Sequence, residues 1–220
     1  MNRLLVSLLL AGWAIPASAA SILQFTEAKP FDTPFVFTAN GAGTATTLTA
    51  TKAVDVVFDP SFCLVAGCGG VTDGVYALTL SATSTGPATL SGGAVSQAFG
   101  GSLSITDGAV DLLSIVFTDL LQGSLDGSSP TLEASQPPDL FTGSSTVFDP
   151  TTLGLPRGFA LSFSDLTNGG LGLQGTTIRS GVADGTGTFS VTPVPEPASL
   201  LLFGTGLLGL ITVVRRRAVA

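Results

Sequence analysis

Apolar and polar residues alternate along most of this chain, in short runs broken by turn dipeptides. Gly74–Thr83 is the plainest case: Val75, Ala77 and Thr79 fall on one face, and Tyr76, Leu78 and Leu80 on the other. A period of two is that of a strand, whose successive side chains point to opposite faces of a sheet. Arg157–Ser164 alternates through Phe159, Leu161 and Phe163 and predicts a half-buried strand. Ser102–Thr106 and Ala109–Leu121 flank Asp107-Gly108, a dipeptide suited to the type I′ turn of a hairpin. Leu112, Ile115 and Val116 lie at helical spacing, but the Ile-Val-Phe-Thr run and the turn before it favour strand. Thr176–Ala183 and Gly185–Thr192 flank Asp184-Gly185 and predict a final hairpin, with Phe189 and Val191 on one face. Asp73-Gly74, Asp126-Gly127, Asn40-Gly41 and Asn168-Gly169 mark further turns, and Ser128–Pro138, with three prolines, predicts an irregular crossing loop.

Strands this short at such regular spacing predict an all-β, antiparallel body, a β-sandwich or jelly roll over residues 20–192. An internal echo accompanies them. Val57-Phe58-Asp59-Pro60 recurs as Val147-Phe148-Asp149-Pro150, and Phe117-Thr118-Asp119-Leu120 resembles Phe163-Ser164-Asp165-Leu166. One reading is strand termination, with an Asp that tolerates turns and a Pro that cannot pair in a ladder. The other is duplication of a half-domain.

The two ends of the chain follow a different pattern. Arg3, the apolar run Leu4–Ile15 and the small residues Ala17-Ser18-Ala19 have the order of a secretory signal peptide over residues 1–19. Cleavage is expected after Ala19, or second after Ala20; an uncleaved anchor is the alternative. At the C-terminus Pro195-Glu196-Pro197 precedes the uncharged run Ala198–Val214, and Arg215, Arg216 and Arg217 follow. At about 1.5 Å per residue the run spans roughly 25 Å, slightly short of a hydrocarbon core of about 30 Å. Bilayer thinning or snorkelling closes so small a gap. The arginines are expected to stay in the cytoplasm, leaving the body outside the inner membrane.

Triplet, apolar run and basic cluster together resemble the PEP-CTERM sorting signal of Gram-negative bacteria, here over residues 193–220. That resemblance implies a transmembrane helix at 198–214, a basic tail at 215–217 and the membrane enzyme exosortase as processing partner. Signal peptidase and the secretion machinery are the other implied partners, with the inner membrane a transient anchor. Proteins bearing this signal often accompany exopolysaccharide and biofilm, so an outer-surface or matrix location is expected. A simple single-span anchor is the competing reading. The resemblance covers about an eighth of the chain and transfers no biochemical activity to the body.

Composition then limits the chemistry. The chain has 8 basic and 15 acidic residues and a formal net charge of −7. Lys29, Lys52, Arg157 and Arg179 are the bases between the two targeting segments, while all the acids but Glu196 lie there. Such a surface repels nucleic acid. No histidine occurs anywhere, which removes Ser-His-Asp and Cys-His arrangements and the commonest transition-metal ligand. Most acids sit beside Gly or Pro at turns, and none of their pairs has a distinctive catalytic spacing, so no catalytic residue is assigned. EF-hand and β-helical calcium spacings are missing, and neither metal nor cofactor is implied. Tyr76 is the only tyrosine, and with the one tryptophan in the leader no sugar platform is legible. Cys63 and Cys68 remain; in an oxidising compartment a pair this close predicts a local disulfide rather than a redox or metal motif.

Two classes of function stay open. One is a noncatalytic, exosortase-sorted envelope or matrix protein associated with exopolysaccharide. The other is a domain that binds or hydrolyses surface polysaccharide.

Overall fold

The structure, a computed structural model, describes residues 20–28, 33–64, 66–136, 141–149 and 157–191. Thirteen strands run through it: β1 (Ala20–Glu27), β2 (Phe35–Ala39), β3 (Thr46–Phe58), β4 (Gly74–Ser84), β5 (Thr89–Ser91), β6 (Ala94–Asp107), β7 (Val110–Ser124), β8 (Thr131–Gln136), β9 (Phe141–Ser144), β10 (Arg157–Ser164), β11 (Leu173–Gln174), β12 (Thr177–Ile178) and β13 (Gly181–Val191). Every pairing between them is antiparallel.

Neighbours in sequence are neighbours in space. β3 pairs with β4, β4 with β6, β6 with β7, β7 with β8, β8 with β10 and β10 with β13. The last strand then pairs with the first, Ala20 opposite Val191, and β1 pairs with β3. The circuit is complete: an up-and-down barrel with eight strand positions. The expected sandwich or jelly roll is corrected here, because closure of β13 on β1 leaves one continuous sheet instead of two packed ones. Closure also removes the exposed edges that an open sheet must protect.

Some positions are shared by two consecutive strands. β1 and β2 both lie between β3 and β13, with residues 28–34 between them. β8 and β9 both pair with β7 in the same direction. These interruptions let a long barrel stave be built from short apolar runs.

Parity fills the interior. On β3, Leu48, Ala50, Lys52, Val54, Val56 and Phe58 are buried, while Thr47, Thr49, Thr51 and Asp55 face out. β4 behaves as its sequence predicts, with Tyr76, Leu78 and Leu80 in and Val75 out. Eight strands enclose just enough space for side chains to fill, and here rings fill much of it. Phe35 and Phe37 meet Phe163 edge to face, at 5.4 and 5.3 Å between centroids. Apolar side chains inside and hydroxyls outside are the reverse of a barrel that faces lipid. Among the described residues no helix is long and apolar enough to cross a membrane.

Two further expectations change. Asp184-Gly185 is not a turn but lies inside β13, whose eleven residues run unbroken from Gly181 to Val191. A Cβ at Gly185 would lie 2.8 Å from the Phe35 ring, so this glycine makes room for a core ring. Ser128–Pro138 is not all loop: Thr131–Gln136 forms β8, paired on both sides. The Asp107-Gly108 hairpin is present, with Asp107 opposite Val110 and Gly108 at a φ of 55°.

The echo does not repeat a structural unit. Val57-Phe58 ends β3, whereas Val147-Phe148 lies in a bend outside any strand. Asp119 is buried within β7, whereas Asp165 follows β10 at a φ of 54°. Strand termination accounts for Asp59, whose carboxylate accepts from Ser61 N at 2.9 Å and starts a short 3-10 turn.

Candidate functional site

Both ends of the barrel are closed, by different means. At one end the segment after β10 folds across the opening. Its backbone bonds to the β2–β3 turn through Thr176 N and Gly43 O (2.8 Å) and to the β4–β6 connection through Ala88 N and Thr176 O (2.8 Å). It reaches the β7–β8 turn through Leu171 N and Gly127 O, also 2.8 Å. Arg179 donates to the carbonyls of Gly169 and Gly170 and holds the segment's own turn.

Beneath this cover lies a polar knot. Gln97 and Thr177 are fully buried. Gln97 Nε2 donates to Gly86 O (2.9 Å) and to Thr177 Oγ1 (2.8 Å), which bonds Thr46 Oγ1 (2.6 Å). Thr46 Oγ1 donates to Ile178 O, and Ile178 N returns to Gln97 Oε1 at 3.0 Å. Every donor in this ring finds an acceptor, which is the condition for polar groups to be tolerated in a core.

The opposite end carries the chain's entry and exit, Ala20 and Val191, side by side. Cys63 and Cys68 are joined in a disulfide with Cα atoms 5.1 Å apart. Leu64 N from this loop bonds Val147 O at 2.9 Å, and the neighbouring Phe148 ring stacks on Phe189 at 5.9 Å between centroids. Tyr76 closes the same region, its hydroxyl donating to Thr72 O at 2.6 Å. Burial, then the charges of Asp107 and Asp73, raise the Tyr76 phenol above its ordinary 10.0.

A shallow open groove of about 400 Å³ crosses the outer face of β6, β7 and β9. Ser102, Ser104, Ser114, Thr142 and Ser144 line it around the half-exposed Val116. Asp111 accepts from Ser114 Oγ (2.8 Å) and Ser144 Oγ (3.2 Å), fixing two of those hydroxyls. Its chemistry is that of neutral hydrogen-bonding groups beside a small apolar patch. Among the described residues no group of three or more metal-ligating side chains converges.

Of the residues singled out in the sequence, the structure brings Cys63 and Cys68 together and opens β1 at Ala20. Ala19, Pro195, Glu196, Pro197, Arg215, Arg216 and Arg217 lie outside the described residues, as does the apolar run 198–214. Sequence reasoning missed Lys52, Gln97 and Thr177. Parity would have exposed Lys52 and Gln97, which lie on the inward-facing side of alternating runs, whereas Thr177 sits in a two-residue strand buried at both positions.

The described residues form a packed all-β barrel, and the segment that follows it in sequence carries an address. The address is identified by comparison: residues 193–217 match the family model of the PEP-CTERM protein-sorting motif. The chain therefore carries the PEP-CTERM motif, which marks it as an exported protein anchored in a membrane before exosortase cuts it. No curated protein and no solved structure matches it.

Proposed function

We propose that this protein is a noncatalytic envelope or extracellular-matrix protein, associated with exopolysaccharide, in which the barrel is the cargo and the tail the address. The observation that carries the reading is the sorting motif at 193–217. The filled interior supports it, because Phe25, Phe35, Phe99, Phe117 and Phe159 occupy the space in which a hollow barrel would hold a ligand. In this reading residues 1–19 are a signal peptide, and cleavage after Ala19 frees the chain at the first residue of β1. Pro195-Glu196-Pro197 is the processing motif, and Arg215–Arg217 hold the end of the span in the cytoplasm.

The position of Val191 adds an orientation. Six residues, Thr192–Pro197, separate the last strand from the apolar run. At roughly 3.3 Å per residue they reach at most about 20 Å. While anchored, the barrel stands with its disulfide-bearing end toward the membrane and the groove-bearing side wall free.

The groove favours a second reading, a contact site for neutral polysaccharide. It favours binding over hydrolysis, since among the described residues Asp111 is the one carboxylate bonded to its lining hydroxyls, whereas glycoside hydrolysis uses a pair. Deletion of the gene in its host tests both, with matrix composition and the protein's extracellular location measured together. Loss of matrix polysaccharide that a Val116→Asp chain fails to restore supports the second reading. An unchanged matrix and a wholly cell-retained protein contradict both.

A further inference from the structure

We propose that Lys52 and Glu27 condense in the folded barrel into an intramolecular amide, a cross-link between the Lys52 Nζ and the Glu27 Cδ. It concerns the barrel alone and does not depend on the sorting tail. Glu27 ends β1 opposite Val54 of β3, and Lys52 is the diagonal neighbour two residues back along β3. Diagonal positions on one sheet face lie within reach of long side chains. The two groups meet as an ion pair inside the barrel, with side chains only 1 % and 9 % exposed.

This pair is badly provided for as two charges. An ammonium has three N–H donors, yet the Lys52 Nζ has no hydrogen-bond partner among the described residues beyond its ion-pair contact with Glu27. Its other close neighbour is the Phe35 ring, with the centroid 4.9 Å away. The Gln97 knot shows that this chain can satisfy buried polar groups completely when they are to remain as they are. Lys52 is treated otherwise. A neutral amide would remove both buried charges and their desolvation cost, and would leave a single N–H to place.

The reaction balances without a co-reactant. A proton passes from the ammonium to the carboxylate within the pair, and the freed Nζ lone pair attacks Cδ. The Cδ–Oε2 bond then breaks, and that oxygen leaves as water with a second proton from the nitrogen. Glu27 Oε1 already accepts from Gly185 N at 2.9 Å, so a backbone donor is aimed at the oxygen on which charge develops. Holding amine and carboxyl in contact supplies the high effective concentration that two separate molecules lack. The cross-link would join β1 to β3 at the C-terminal end of β1.

Trypsin reads the bond directly, because it cuts after a free lysine and not after an acylated one. The exported wild-type chain is unfolded, reduced and digested, with cutting after Arg157 and Arg179 as the control for complete unfolding. The proposal expects no cut after Lys52, and an intact mass one water below that calculated for the exported chain between its own two termini. In the Lys52→Arg chain the cut at position 52 and the full mass both return. A wild-type chain that is cut after Lys52 overturns the proposal. So does a mass loss that persists in Lys52→Arg, which would place the dehydration at an Asp-Gly turn.

Discussion

The two ends of the barrel are both shut, yet they are made of different materials. The end covered by the β10–β13 segment is laced by hydrogen bonds between residues far apart in sequence, centred on Gln97, Thr177 and Thr46. The end from which both chain termini leave is closed by a five-residue-separated disulfide and by the Phe148–Phe189 stack. The first kind of closure forms only when the whole barrel has formed. The second is partly local, and it shields the region where Val191 hands over to the tail. If the chain is processed at the proposed Pro195-Glu196-Pro197 motif, the last strand gains from being pinned independently of the distant end.

Substitutions can break this contrast, and the largest effect is expected where a ring is removed. Phe148→Ala should cost about 3–5 kcal/mol, the range for emptying a buried aromatic site, read as a lowered midpoint in denaturant. Next, Gln97→Leu should cost about 2–3 kcal/mol, because the buried Ile178 amide and Thr177 hydroxyl and the half-buried Gly86 carbonyl lose their partner. Amide exchange would locate this damage: Ile178 should exchange faster and Leu64 unchanged. Replacing both cysteines by serine should cost about 2 kcal/mol, the chain-entropy contribution of so small a loop. The pattern should then invert, with Leu64 exchanging faster and Ile178 unchanged. If either variant loosened both amides equally, the two ends would be one cooperative unit and the contrast would fall.

The smallest effect concerns Tyr76. Its phenol is raised above 10.0 in the folded state, so ionisation is disfavoured there relative to the unfolded chain. The stability this gives is fully present below pH 10.0 and is lost as pH rises through the folded value. A Tyr76→Phe chain should therefore lose less stability than wild type between neutral and strongly alkaline pH, measured by denaturant titration.

Legibility in the sequence followed the same physical line. Gly74–Thr83 and Arg157–Ser164 could be read because one face is buried and the other wet, so the period of two survives in the residues. The hairpin at Asp107-Gly108 was legible because turn chemistry and flanking strands agree. Asp184-Gly185 misled because glycine there serves the Phe35 ring, and a dipeptide does not say whether its glycine bends the chain or vacates space. Ser128–Pro138 misled because its prolines flank β8 instead of interrupting it. Barrel closure was out of reach, since it rests on Ala20 meeting Val191 across nearly the whole body. Lys52 was readable in principle: the alternation of Thr46–Phe58 places it inside, where a lysine needs an explanation.

The central claim is that the barrel travels as cargo and the tail decides its destination. Replacing Pro195, Glu196 and Pro197 together by alanine leaves the leader, the barrel and the apolar run 198–214 untouched. Fractionating wild type and this variant, from hosts with and without exosortase, is the most direct test. The account predicts that wild type is released without Arg215–Arg217 only where exosortase is present, and that the variant accumulates at full length in the inner membrane. Equal release of both forms, or a released wild-type chain that keeps Arg215–Arg217, would contradict it.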